Sequence, residues 1–187
     1  MEFSSPVDLI ETTAGHGLEK ATAYKILDRV IIMPVFLIPD LYPVSGDPVF
    51  DGLAKDPGIS DAVLKALYLS QTAPSDYRMD LTNQEFLRAV RLKSLKEFHK
   101  MADSIAIEAK TSPIGEDIWF QPLARSQRGG FETSTFEGLS APSEDRQKIQ
   151  DAFVAAFEQA IVAEPKPKPI LPFRTRRRPV TKPKFDA

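Results

Sequence analysis

Carboxylates are the side chains in this sequence best placed to do chemistry. Asp40, Asp47, Asp51, Asp56 and Asp61 follow one another through a stretch rich in proline and glycine. Acids at such spacings can share a proton for acid–base work or hold a hard cation through oxygen ligands. The same positions, beside prolines and at the starts of helices, also suit N-caps. One reading of the chain is therefore a divalent-cation-dependent enzyme working from residues 40–61.

The remaining chemical signals are thin. Of two histidines, His16 stands between glycines in a turn, and His99 lies four residues before Asp103. That spacing places both on one helix face, but two ligands do not make a metal site. "GHGLEK", residues 15–20, opens like a dinucleotide-binding fingerprint. Lys20 stands where the third glycine belongs, no strand precedes it, and a turn between helices accounts for it. No phosphate-binding G-x-x-x-x-G-K-[ST], no G-x-S-x-G and no H-E-x-x-H occurs. The absence of cysteine removes disulfides, thiolate metal sites and cysteine nucleophiles. The expectation is a protein that is not an enzyme, with no cofactor and no metal.

Charge carries more information. The chain is close to neutral, at −2, yet its two parts oppose each other. From residue 165 onward Lys166, Lys168, Arg174, Arg176, Arg177, Arg178, Lys182 and Lys184 face one acid, Asp186, for a net +7. Residues 1–164 hold 16 basic and 25 acidic residues, a net −9. Proline recurs through the tail and prevents helix, leaving it extended. Such an arm binds acidic material: nucleic acid through its phosphates, or acidic protein, including a neighbouring copy of the −9 body. Pro169, Pro172 and Arg174 also fit P-x-x-P-x-R, a ligand pattern for a partner domain.

The elements that would position these groups read as mostly α. "SSPVDLIETTAG" has a cap at Ser5, proline at the first helical position and a stop at Gly15. A second helix is expected from about Leu18 to Met33, ending before Pro34. Four prolines between residues 34 and 48 then forbid a regular element, leaving an apolar loop with Phe36, Leu41 and Tyr42 draped over a surface, its own or a partner's. One or two helical turns are expected after Asp47, and a clearer helix over "ISDAVLKALYLSQ". Thr82 and Glu85 make a capping box ahead of an apolar period that predicts one helix from about Asn83 to Lys110, about 42 Å long. Arg91 falls inside its apolar arc, so it pairs with a buried acid or faces a partner.

"DIWFQPL" and "FETSTF" pair as a short β-hairpin candidate near residues 118–136, with Trp119 ordering the loop. Pro122 limits the first of these strands to an edge. Ser143 caps a last amphipathic helix carrying Ile149, Phe153, Ala156, Phe157 and Ala160 on one stripe.

These expectations amount to an irregular, mostly α domain over residues 1–164 and a basic proline-rich extension over 165–187. Functionally they describe a structural or adaptor subunit of a larger assembly, partnered by protein subunits and, through the tail, by RNA or DNA. Candidate interface residues are Phe36, Leu41, Tyr42, Arg91 and Trp119. No apolar run reaches the length of a membrane span, and the N-terminus lacks the basic region of a secretory signal. The expected compartment is the cytoplasm or the inside of an assembled particle.

Overall fold

Residues 29–36 read "RVIIMPVF", apolar at both odd and even positions. A strand carries such a run only when both faces of its sheet are covered. That is what the chain builds. The computed structural model describes residues 19–36, 44–71, 79–112, 115–126 and 129–165. Within them lie β1 (Lys20–Ile26), β2 (Arg29–Phe36), β3 (Val44–Ser45), β4 (Phe50–Leu53), α1 (Ile59–Ser70), α2 (Met79–Val90), α3 (Leu95–Met101), β5 (Ala102–Ser112), β6 (Gly115–Arg125), β7 (Phe131–Thr133), β8 (Leu139–Pro142) and α4 (Arg146–Ile161).

The eight strands form one antiparallel sheet. Four long strands run in the order β2-β1-β5-β6 at its centre. Each flank is completed by two short strands in line. Outside β2, β4 pairs with residues 29–32 and β3 with 35–36. Outside β6, β8 pairs with residues 117–120 and β7 with 123–125. Both breaks fall at a proline. The Pro34 carbonyl points outward and accepts from Gly46 N–H, so its missing N–H faces the gap between β4 and β3. The Pro122 carbonyl likewise points outward and accepts from the Ser134 hydroxyl at 2.7 Å, between β8 and β7. Neither proline removes a ladder bond, which is how both sit within strands.

Alternation along the strands divides the core in two. Ala21, Ala23, Val30, Ile32, Ile105, Ile107, Ile118 and Phe120 pack under α1 and α4, which contribute Ile59, Val63, Leu67, Ile149, Phe153 and Phe157. The other face presents Ile26, Ile31, Met33 and Ala102 to Val90 of α2 and Phe98 of α3. Each fully buried Ile or Phe contributes roughly 1.5–3 kcal/mol, so a three-layer helix–sheet–helix arrangement is secured from both sides.

The mostly α expectation is thus overturned by the antiparallel sheet. Residues 18–33 were predicted as one helix. From Lys20 they are the β1–β2 hairpin, turned at Leu27–Asp28. The helix predicted over 83–110 is three elements. It stops at Val90, where Arg91 adopts φ +57° and Leu92 N–H reaches back to Leu87 O at 3.1 Å. Arg91 N–H to Arg88 O completes a Schellman motif, with Leu87 and Leu92 packed on the same cluster. Ser94 then caps α3 by accepting from Glu97 N–H. From Ala102 the chain extends, with Ile105, Ile107 and Ala109 buried at period two. The turns of helix expected after Asp47 are replaced by β4. The hairpin near 118–136 is present as β6–β7, with Leu123 opposite Thr133 and Arg125 opposite Phe131. Pro122 does not confine β6 to an edge, for β5 lies on its other side. The last helix is α4, capped by Asp145 rather than Ser143, with the stripe from Ile149 to Ala160 buried. Among the described residues no helix is long and apolar enough to cross a membrane.

Candidate interaction surface

At the end of the sheet where β1 turns into β2, register brings several groups together. Ile26 pairs with Arg29, leaving Leu27 and Asp28 as a two-residue turn, and Arg29 pairs on its other side with Leu53 of β4. Leu27 holds φ +56° and is 76% exposed, and Leu53 is 62% exposed. Tight hairpin turns ordinarily place glycine, asparagine or aspartate at a positive-φ position. A leucine there costs roughly 1–2 kcal/mol in backbone strain, and here its side chain gains no burial in return. Strain together with an exposed apolar group points to a role outside the fold.

Arg29 anchors this end. Its guanidinium holds the Asp51 carboxylate through Nε and Nη2, and Nη2 also donates to Ala89 O at 2.7 Å, near the C-terminus of α2. The pairing keeps the Asp51 carboxyl below its usual range, chiefly by the Arg29 hydrogen bonds, with Arg91 adding a weaker pull. Arg91 is therefore the left-handed residue that ends α2, with its charge within reach of Asp51. The surface at this end is Leu27 and Leu53 flanked by the Arg29–Asp51 pair and Arg91. Trp, Tyr and Arg are the residue types over-represented among binding hot spots, and isolated leucines become anchors only when a partner covers them.

The other sequence-marked residues disperse. Phe36 is buried, with its ring against Gly46. Trp119 is half-buried in β6, with Lys110 Nζ 4.1 Å above the ring and Gly138 against the indole. Leu41, Tyr42, Pro169, Pro172 and the eight basic residues of the tail lie outside the described residues. Among the acids of 40–61, Asp40 also lies outside them. Asp51 pairs with Arg29, Asp56 accepts from Gly58 N–H at 2.9 Å, and Asp61 accepts from Arg146 at 2.9 Å. No group of three His, Cys, Asp or Glu side chains is close enough to hold a metal among the described residues. His99 and Asp103 do not share a helix face. Asp103 starts β5 and binds Arg125 at 2.7 Å, whereas His99 packs on Phe131 with ring centres 5.8 Å apart, and burial lowers its pKa.

Comparison by sequence finds no matching family model and no matching curated protein. Comparison of structures finds the same fold elsewhere. A protein of unknown function from Neisseria meningitidis superposes with a TM-score of 0.60 at 12% identity, covering 75% of this chain and 94% of that one. A chain of a CdiA-CT/CdiI toxin and immunity complex from Yersinia pseudotuberculosis superposes with a TM-score of 0.52, also at 12% identity, covering 75% and 95%. At that identity the likeness is one of fold.

Proposed function

We propose that the protein is a non-catalytic binding subunit that acts by engaging another protein, with the contact centred on Leu27 and Leu53. The observation that carries this reading is the strained, solvent-facing leucine at the tip of the β1–β2 hairpin. Stability alone would favour glycine or asparagine there. The occurrence of the fold in a chain of a toxin and immunity complex supports it. The −9 charge of residues 1–164 supports a basic partner, drawn in by the long-range field.

The test begins with the full chain and a partner recovered from its native source, purified and reconstituted. Leu27→Asp and Leu53→Asp, each shown to fold by circular dichroism, should weaken the reconstituted complex at least roughly tenfold, as for loss of an anchor worth more than about 1.4 kcal/mol. Wild-type affinity in both variants refutes the reading.

The basic segment 165–187 supports a second attachment, to an acidic surface. Deleting 166–187 and repeating the recovery with and without nuclease distinguishes nucleic acid from acidic protein. An unchanged set of partners refutes an attachment by the tail.

A further inference from the structure

The N-terminal ends of α1 and α4 border a shallow depression of about 310 Å3 lined by Lys55, Pro57, Ser60, Arg146, Gln147 and Gln150. The two helix ends differ. At α4 the Asp145 carboxylate accepts from Lys148 N–H at 3.0 Å and closes the terminus. At α1 the N-cap is Gly58, which has no side chain to accept. The nearby Asp56 carboxylate is turned to Gly58 N–H, one residue too early. The first helical bond runs from Ala62 N–H to Gly58 O. The N–H groups of Ser60 and Asp61, which a capping side chain normally satisfies, have no acceptor among the described residues.

The side chains around this open end are donors. Ser60 is 4% exposed, lines the depression, and its hydroxyl has no hydrogen-bond partner among the described residues. The Lys55 side chain is exposed and makes no ion pair among them. Arg146 uses Nε on Asp61 and Nη1 on Ser143 O, leaving Nη2 without an acceptor. Gln150 Nε2 holds Asp56 O at 3.1 Å, fixing the wall of the depression. The acids nearby, Asp56 and Asp61, are both engaged by donors of their own.

We propose that this depression is an oxyanion site that takes a phosphate group, free or as a small phosphate monoester. The Ser60 and Asp61 N–H groups and the Ser60 hydroxyl would bind one side of the anion, and Lys55 and Arg146 Nη2 the other. A helix N-terminus and charge-assisted donors act together in such a seat. The assignment is independent of the protein-binding reading above.

The experiment is a titration of the full-length, isotope-labelled chain with inorganic phosphate at constant ionic strength, followed by amide resonances. Saturable shifts are expected at Ser60 and Asp61. Lys55→Ala and Ser60→Ala should each weaken binding roughly five- to tenfold, the loss of one charge-assisted or buried hydrogen bond. Lys110→Ala should leave it unchanged. Phenyl phosphate separates the two sources: tighter binding than inorganic phosphate identifies an ester ligand, equal or weaker binding the free ion. Shifts confined to residues 166–187, shifts reproduced by chloride, or wild-type affinity in both site variants would overturn the proposal.

Discussion

Arg125 Nε donates to the carbonyl oxygen of Ala102 at 3.0 Å, joining the end of β6 to the point where helix α3 becomes strand β5. The same guanidinium takes Lys100 O at 2.9 Å and Asp103 Oδ1 at 2.7 Å. One side chain therefore satisfies carbonyls that the end of a helix leaves open and places positive charge at its negative pole. Arg125→Ala should lower unfolding free energy by about 1–2 kcal/mol in urea denaturation, since part of the group is solvent-screened. Arg125→Lys should recover less than half, because a point charge cannot fork across two carbonyls and a carboxylate. Equal stability of all three proteins would show that β5 begins where it does for other reasons.

Leu27→Gly removes a positive-φ penalty at a cost in unfolded-chain entropy. The net expectation is stabilisation by roughly 0.5–1 kcal/mol. The same variant should bind the partner protein less tightly. A variant that gains stability while losing affinity separates a residue kept for contact from one kept for folding, and a rise in melting temperature with unchanged affinity would assign Leu27 no part in binding.

Gly138 lies against the Trp119 indole so closely that a β-carbon there would overlap the ring. The neighbour is a packed aromatic bordered on its other side by Lys110, so relief requires moving β6 or the segment before β8. Gly138→Ala should cost roughly 1–3 kcal/mol and shift the tryptophan emission, which reports one residue because the chain has a single Trp. Unaltered emission and stability would mean that the segment yields freely.

Two carboxylates give opposite pH signatures. The Asp51 carboxyl is depressed by Arg29, so its contribution is present above the unfolded value and is lost as pH falls through the folded one. The Glu19 carboxyl is raised by burial first and by Glu116 second. Its contribution is therefore complete while it is protonated and is lost as pH rises above the unfolded value. Glu19→Gln, which keeps an oxygen to accept from Gln71, should be more stable than wild type at pH 7 and equal to it below about pH 4. Asp51→Asn should be less stable at pH 7, and the difference should close below about pH 3. Melting curves between pH 3 and 8 check both signs.

What could be read from the sequence depended on which period a segment shows. The α1 and α4 stripes have one buried face each, and their 3.6-residue repeat marks them directly. "RVIIMPVF" is covered on both faces, so it shows no alternation, and with Tyr24, Ile26 and Ile31 upstream it fits an amphipathic helix as well as a strand. The turn inside it is Leu-Asp, which lacks the Asn-Gly or Gly-containing signal of a tight hairpin. The same turn hid the leucine now placed at the centre of the interaction surface.

The 83–110 segment misled for a second reason. Leu95, Phe98, Met101, Ala102, Ile105 and Ala109 fit a helical arc, yet Ile105, Ile107 and Ala109 fit alternation equally well. "SLKE" at residues 94–97 is a second capping box and marks a new helix start within the supposed one. The open cap at α1 was legible in part. "DPGIS" puts glycine where a capping side chain would stand, but the convergence of Lys55 and Arg146 on it depends on tertiary contact.

The two prolines that split the outer strands affect how the protein behaves in a crowded solution. A sheet with long, straight, unpaired rims offers a template on which further copies can stack strand by strand. Here each rim is only two to four residues long before it is interrupted, so an incoming strand finds no stretch long enough to grow along. Pro34 and Pro122 thereby make the sheet self-limiting. A chain built to meet a foreign protein at one end is shielded along its sides from polymerising with itself.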